Sequence, residues 1–186
     1  MGLNLRYSPL EYTNAKLEYD GKLMEVDTMS PASGFAGATA IYKSSVIKLG
    51  DVIKTEILID LTSSKSMTTD LDIIGLLGPS HIGQITAAKN GTLLYGQMSC
   101  WETPAGGVVD VDLYSATEGT GEFDGGVGSL TETAAVTSSA DWTGTVTPVI
   151  VTGLPVADSY LYLTSGKAGT TGTYSAGRFF IEFWGV

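Results

Sequence analysis

Two pairs of carboxylates and one histidine are the residues of this chain whose types and spacing could do chemistry. Asp110 and Asp112 stand two apart in Val109-Asp110-Val111-Asp112-Leu113-Tyr114, so on an extended strand both carboxylates leave the same side. Asp70 and Asp72 do likewise if that segment is extended. Paired carboxylates can hydrolyse glycosides, but such sites also need sugar platforms and hydrogen-bond donors that cannot be placed from sequence. The plainer expectation for Asp110 and Asp112 is a solvated strand face. Calcium is the second chemistry, because Glu118, Glu122 and Asp124 follow in a glycine-rich stretch. Calcium takes six to eight oxygens. Asp110, Asp112, Glu118 and Asp124 are the candidates to supply some of them, but no EF-hand spacing is present, and neither a metal nor a cofactor is assigned.

His81 is the only histidine, in the turn-like Gly78-Pro79-Ser80-His81-Ile82-Gly83. A serine triad would have to use it, yet no Gly-x-Ser-x-Gly elbow supplies a nucleophile, so it reads as a loop or packing residue. A histidine-based zinc site lacks further ligands. The single Cys100 excludes an internal disulfide and a cysteine metal cluster. It reads as a small buried residue on a strand. Gly166-Lys167 is followed by Ala168, and Leu161 stands where a phosphate-binding loop needs its first glycine. The chain reads as non-enzymatic.

Charge narrows the partners. The 186 residues carry 20 acids and 10 bases, a formal charge of −10. No Lys or Arg occurs from Asn90 to Gly166, a stretch with nine acids. Such a surface cannot neutralise phosphates, so neither nucleic acid nor an anionic membrane is an expected partner. Met1 to Tyr12 lacks the apolar core of a secretory signal, and no apolar run approaches the ~18 residues of a membrane helix. The expectation is a soluble protein.

The elements that must position these residues are strands. Ile53, Thr55, Ile57, Ile59 and Leu61 alternate with Val52, Lys54, Glu56, Leu58 and Asp60, the period of a half-buried strand. Further strands are expected at 40–49, 71–77, 93–101, 109–114, 146–151, 160–165 and 178–184. Asn90-Gly91 predicts a two-residue hairpin turn, and residues 118–129 and 165–173 read as loops. Residues 1–37 differ. They are mixed in charge, carry Tyr7, Tyr12 and Tyr19, and close on Ser30-Pro31-Ala32-Ser33-Gly34. They read as an N-terminal arm or a pair of irregular strands, with a helix over 9–19 as the alternative. Residues 38–186 then form one all-β domain. Nine or ten short strands with almost no helix give an antiparallel sandwich or barrel, and a jelly roll suits the count best.

The last strand bears on function. Phe179, Ile181 and Phe183 share one face; Arg178, Phe180, Glu182 and Trp184 share the other. Large aromatics on both faces mean that neither face is simply solvated. The strand is either central and covered on both sides, or it turns Arg178, Phe180, Glu182 and Trp184 towards another chain.

Three stretches carry a resemblance: Gly50-Asp51-Val52-Ile53-Lys54-Thr55-Glu56-Ile57-Leu58-Ile59-Asp60-Leu61, Val109 to Tyr114, and the Gly/Thr turn from Gly169 leading into Arg178-Phe179-Phe180-Ile181-Glu182-Phe183-Trp184-Gly185. Over residues 38–186 the chain resembles small virion structural proteins of tailed bacteriophages, among them the jelly-roll decoration, or cement, proteins. The resemblance implies no catalysis. It implies a homotrimer made in the host cytoplasm and bound to the major capsid protein on the outer surface of the virion, stabilising the shell against the pressure of packaged DNA. Arg178, Phe180, Glu182 and Trp184, with Tyr7, Tyr12 and Tyr19 of the arm, become the interface candidates, and the acidic middle of the chain faces water. The other reading is a carbohydrate-binding sandwich of a phage tail or adhesin, with Trp101, Trp142 or Tyr160 as sugar platforms and calcium at Asp110 and Asp112.

Overall fold

The protein is described by a computed structural model over residues 15–19, 22–36, 41–138, 140–169 and 171–186. Its strands are β1 (Ala15–Tyr19), β2 (Lys22–Asp27), β3 (Ile41–Leu49), β4 (Val52–Asp60), β5 (Lys65–Ser66), β6 (Gly83–Gln84), β7 (Leu93–Ala105), β8 (Val111–Ala116), β9 (Glu132–Val136), β10 (Val149–Ile150), β11 (Tyr160–Ser165), β12 (Gly172–Thr173) and β13 (Ala176–Gly185). Two single-turn helices, α1 (Ser33–Ala36) and α2 (Ala87–Asn90), punctuate them. The described chain is thus all-β, and every strand pairing in it is antiparallel.

The strands make two sheets and a short ribbon. The large sheet runs β1-β2-β3-β4-β13-β7-β10, the small one β6-β11-β8-β9, and β12 pairs with β5. Set aside β1 to β3 and the ribbon, and number the remaining eight strands along the chain. The large sheet then reads 1-8-3-6 and the small one 2-7-4-5. Successive strands therefore mostly alternate between sheets.

One apolar core joins the two sheets. Ile57 and Ile59 of β4, Met98 and Cys100 of β7, and Phe179, Ile181 and Phe183 of β13 pack with Val111 and Leu113 of β8 and Leu161 and Leu163 of β11. The alternation read in residues 52–61 holds: Ile53, Thr55, Ile57, Ile59 and Leu61 are all buried. So does the expectation for Cys100, where burial pushes the thiol up to about 11.

A third layer covers the small sheet from outside. Leu71, Ile73, Val127 and Leu130, from segments 71–82 and 117–131, pack on Tyr114, Ala116, Tyr160 and Tyr162. The Tyr162 hydroxyl donates to the Glu118 carbonyl (2.6 Å) and accepts from the Gly121 amide (3.1 Å). This layer overturns three expectations. Residues 71–77 are not a strand: Leu71 has φ +68°, and the segment makes only isolated bridges. It is pulled two ways, since Ile73 donates to Gly125 and Ile74 to Leu163. Asp70 and Asp72 consequently part, Asp70 exposed and Asp72 buried. The middle of the chain does not simply face water either, because every residue of β8 is buried.

Near the N-terminus, β1 and β2 form a hairpin whose second strand pairs with β3, extending the large sheet. Residues 15–19 are therefore strand and not helix; residues 9–14 lie outside the described residues.

Asn90-Gly91 is not a hairpin turn. β6 belongs to the small sheet and β7 to the large one, so their connection must cross the sandwich. Asn90 ends α2 and is fully buried. Its Nδ2 donates to the Thr55 hydroxyl (2.8 Å), and its Oδ1 accepts from the Thr86 amide (2.9 Å). Gly91 has φ +65°, and a Cβ there would lie 2.4 Å from the Val186 carbonyl oxygen. Asn90→Ala strips partners from the buried Thr55 hydroxyl and the half-buried Thr86 amide and should destabilise the fold by about 2–3 kcal/mol in urea denaturation. A solvated hairpin asparagine would lose under about 1 kcal/mol, which separates the two placements.

Candidate functional site

The outer face of the large sheet is the first site candidate, and register builds it. Arg178 stands between Asp60 of β4 and Glu102 of β7; Phe180 between Leu58 and Ser99; Glu182 between Glu56 and Gln97; Trp184 between Lys54 and Tyr95. The Arg178, Phe180, Glu182 and Trp184 picked out from the sequence thus form one row down the centre of this face.

The row is a lattice of ring contacts and ion pairs. Trp101 lies on Phe180 with ring centres 4.8 Å apart, and Tyr95 on Trp184 at 5.3 Å. The Arg178 guanidinium lies 3.1 Å from Asp60 and 3.7 Å from Glu102. Glu56 and Glu182 are directly opposite across the ladder, an arrangement that repels. Lys54 resolves it: its ammonium lies 2.6 Å from Glu56 and 2.8 Å from Glu182, and 5.2 Å over the Trp184 ring. Gln97 also donates to Glu182 (2.5 Å), and Ser45 to Glu56 (3.0 Å). Hydrogen bonding to Glu182, then to Glu56, holds Lys54 above the ordinary lysine value. The Lys54 hydrogen bond holds Glu56 below the usual carboxylate range.

Exposure differs along the lattice. Trp101 is 44% exposed and Glu182 only 9%. Beside Phe180 a shallow hollow of about 150 Å³ is lined by Lys43, Ser44, Ser45, Glu56 and Leu58. The β13 half of this face was legible from sequence. Lys54, Tyr95 and Gln97 were not singled out, because only the pairing of β13 with both β4 and β7 brings them to it.

The arm residues are less informative. Tyr19 ends β1 opposite Lys22; Tyr7 and Tyr12 lie outside the described residues.

The second candidate is the acid pair, and here the solvated reading fails. Asp110 is 3% exposed and Asp112 5%. Segments 71–82 and 117–131 roof this sheet, and Ser138 and Gly166 close on the pair. The Ser138 amide donates to Asp112 Oδ1 (2.9 Å), and the Ser138 hydroxyl donates to Asp110 Oδ1. Burial, then the charges of Asp110 and Asp70, push Asp112 up to about 6, against the opposing Ser138 amide bond. Glu118 and Asp124 do not join them. Glu118 accepts from the Thr131 amide and hydroxyl, and the Asp124 amide is bound to the Ile73 carbonyl. Among the described residues no three His, Cys, Asp or Glu side chains converge as a metal cluster.

His81 rests on Tyr160 and Tyr162, with ring centres 4.8 and 6.3 Å away, and its Nδ1 has no partner among the described residues. Burial lowers its pKa. Trp142 cannot be a sugar platform: it is buried, donates to the Val111 carbonyl (2.6 Å) and meets Phe179 edge-on at 5.5 Å. Tyr160 is half-buried against His81. Of the three platform candidates, Trp101 alone is exposed.

No family model, no curated protein and no solved structure matches this chain.

Two stability effects follow from the geometry. Lys54→Met leaves Glu56 facing Glu182 unneutralised. It should destabilise by about 1–2 kcal/mol at pH 7 and by less at pH 4, in urea melts at both values. Asp112 behaves in the opposite sense from a salt-bridged acid. Its folded-state value lies above its unfolded one, so its protonated form favours the fold. It contributes a penalty that grows as pH rises from about 4 to about 6 and is complete above that. Asp112→Asn keeps an acceptor for Ser138 and removes the charge. In chelator-containing buffer it should match the parent chain at pH 4 and exceed it by about 2–3 kcal/mol at pH 7.5.

Proposed function

We propose that this chain is a non-enzymatic docking protein that binds its partner through the outer face of the large sheet. The carrying observation is the row Arg178, Phe180, Glu182 and Trp184, flanked by Trp101 and Tyr95, on a sheet face that no described segment roofs. Ion pairs hold the charged members in fixed geometry, so little side-chain freedom remains to be lost on docking. Trp, Tyr and Arg are the residue types that carry interface energy.

The resemblance to phage decoration proteins supplies the partner: a major capsid protein, bound on the outside of the shell. The strand order 1-8-3-6 against 2-7-4-5 supports the jelly-roll form that such proteins take. The net charge of −10 suits a body held away from the genome. In this reading the chain acts as a homotrimer on the virion, and each docked copy buries apolar area that resists separation of neighbouring capsid subunits. A second reading rests on Trp101, whose exposed indole donates to the Ser99 hydroxyl, lies on Phe180 and could stack on a sugar ring.

Purified chain mixed with mature capsids of its phage should co-sediment and raise the temperature at which they release DNA. Phe180→Ala with Trp184→Ala should weaken binding about 30-fold or more while urea melts stay cooperative. Failure of the parent chain both to co-sediment and to protect would sink the reading. Glycan-array binding abolished by Trp101→Ala would replace it with the second.

A further inference from the structure

The pair Asp110 and Asp112 lies on the outer side of the small sheet, away from the docking face, and its charge is unanswered. Among the described residues, no lysine or arginine forms an ion pair with either carboxylate. Lys167, next to Gly166, is held by Asp141. Only one oxygen of each carboxylate is hydrogen-bonded, Oδ1 in both cases and by Ser138 in both. The Oδ2 atoms have no hydrogen-bond partner among the described residues. Even the Ser138 hydroxyl is shared, because its single proton also faces the Ala140 carbonyl at 2.7 Å. Buried carboxylates are ordinarily paired with a cation or bound to a metal.

Two further observations lie at the same spot. Thr164 stands directly opposite Asp112 in the β8–β11 ladder, and residues so paired project to the same face. Thr164 is 0% exposed, and its hydroxyl has no hydrogen-bond partner among the described residues. Gly166 provides the space: a Cβ there would lie 2.7 Å from Asp110 Oδ1 and 3.0 Å from Asp112 Cγ. Both carboxyl groups therefore converge over a stretch of bare backbone, next to an orphaned hydroxyl.

The geometry points to a hard divalent cation, calcium by its tolerance of irregular oxygen cages, held by Asp110, Asp112 and the Thr164 hydroxyl. Water completes the coordination. Calcium accepts carboxylate, neutral oxygen and water together, whereas magnesium demands a near-ideal octahedron. Two carboxylates place the affinity in the weak class, with a Kd of about 0.1–1 mM. The ion would tie β8 to β11 and cancel the charge that otherwise destabilises the pair. This differs from the grouping read in the sequence, since Glu118 and Asp124 are excluded and Thr164 enters.

The test is a thermal melt of the full chain at pH 7.5, stripped with chelator and titrated with calcium chloride. Saturating calcium should raise the Tm by about 3–6 °C. Magnesium should do less. Asp110→Asn and Asp112→Asn should abolish the rise, Thr164→Val should reduce it, and Glu118→Gln and Asp124→Asn should retain it. Calorimetric titration of the parent chain with calcium chloride needs no variant and should show one site. A Tm unmoved by 10 mM calcium, or a rise that survives Asp110→Asn and Asp112→Asn, overturns the proposal. A chain that gains stability only on acidification also overturns it, because a proton then satisfies the pair. Capsid binding does not enter, so this result stands or falls apart from the docking reading.

Discussion

Strand β13 has to satisfy two environments at once, and the rest of the molecule is arranged around that demand. It is paired on both edges, to β4 and to β7, so its backbone is fully committed to the ladder. Its inward residues Phe179, Ile181 and Phe183 lie at the centre of the core between the sheets. Its outward residues form the central row on the outer face of the large sheet. β4 ends at Asp60 and β13 begins at Ala176, so neither the core nor the open face exists until distant parts of the chain have paired. Such non-local pairing has a high closure entropy before any contact offsets it. The dense aromatic burial on β13 is what makes the closure favourable.

The two outer faces answer the same physical problem differently. A sheet with one face in the core must leave the other to water or cover it. The small sheet is covered within the chain, by segments 71–82 and 117–131 packing on Tyr114, Tyr160 and Tyr162. No described segment covers the outer face of the large sheet. Its outward side chains cover one another instead: Trp101 lies over Phe180, Lys54 over Trp184, and the lysine stem and its ion pairs shield the strands beneath. A face that no described segment covers and that keeps four aromatic rings is the physical basis for the docking proposal.

How far the sequence foretold this depends on where the covering atoms come from. The alternation of residues 52–61 and the two faces of residues 178–184 were legible because a strand's own period records which side meets apolar matter. Asp110 and Asp112 show the same period, and their shared face was read correctly, but not its burial. What covers it includes Ser138 and Gly166, and nothing local records that. Asn90-Gly91 failed for a related reason: a short polar dipeptide looks the same in a hairpin as at a crossing between sheets. Trp142 looked like a platform because a loop tryptophan carries no mark of the carbonyl that it will bond.

The stretch without basic residues takes on a different meaning in this light. Nine acids without a lysine looked like a solvated, repelling surface. Two of them are instead buried beside each other, and the lysine that ends the stretch, Lys167, is held by Asp141. A fold can keep an uncompensated pair of this kind in three ways: neutralise it with a proton, neutralise it with a bound cation, or accept the penalty. Accepting it would consume a sizeable part of the 5–15 kcal/mol by which domains are stable. The proposed cation is the solution that geometry favours, since Thr164 and the bare backbone of Gly166 lie at the same spot. It would also give a partner to the Thr164 hydroxyl, which has none among the described residues and stands opposite Asp112, where an aliphatic side chain would pack at less cost.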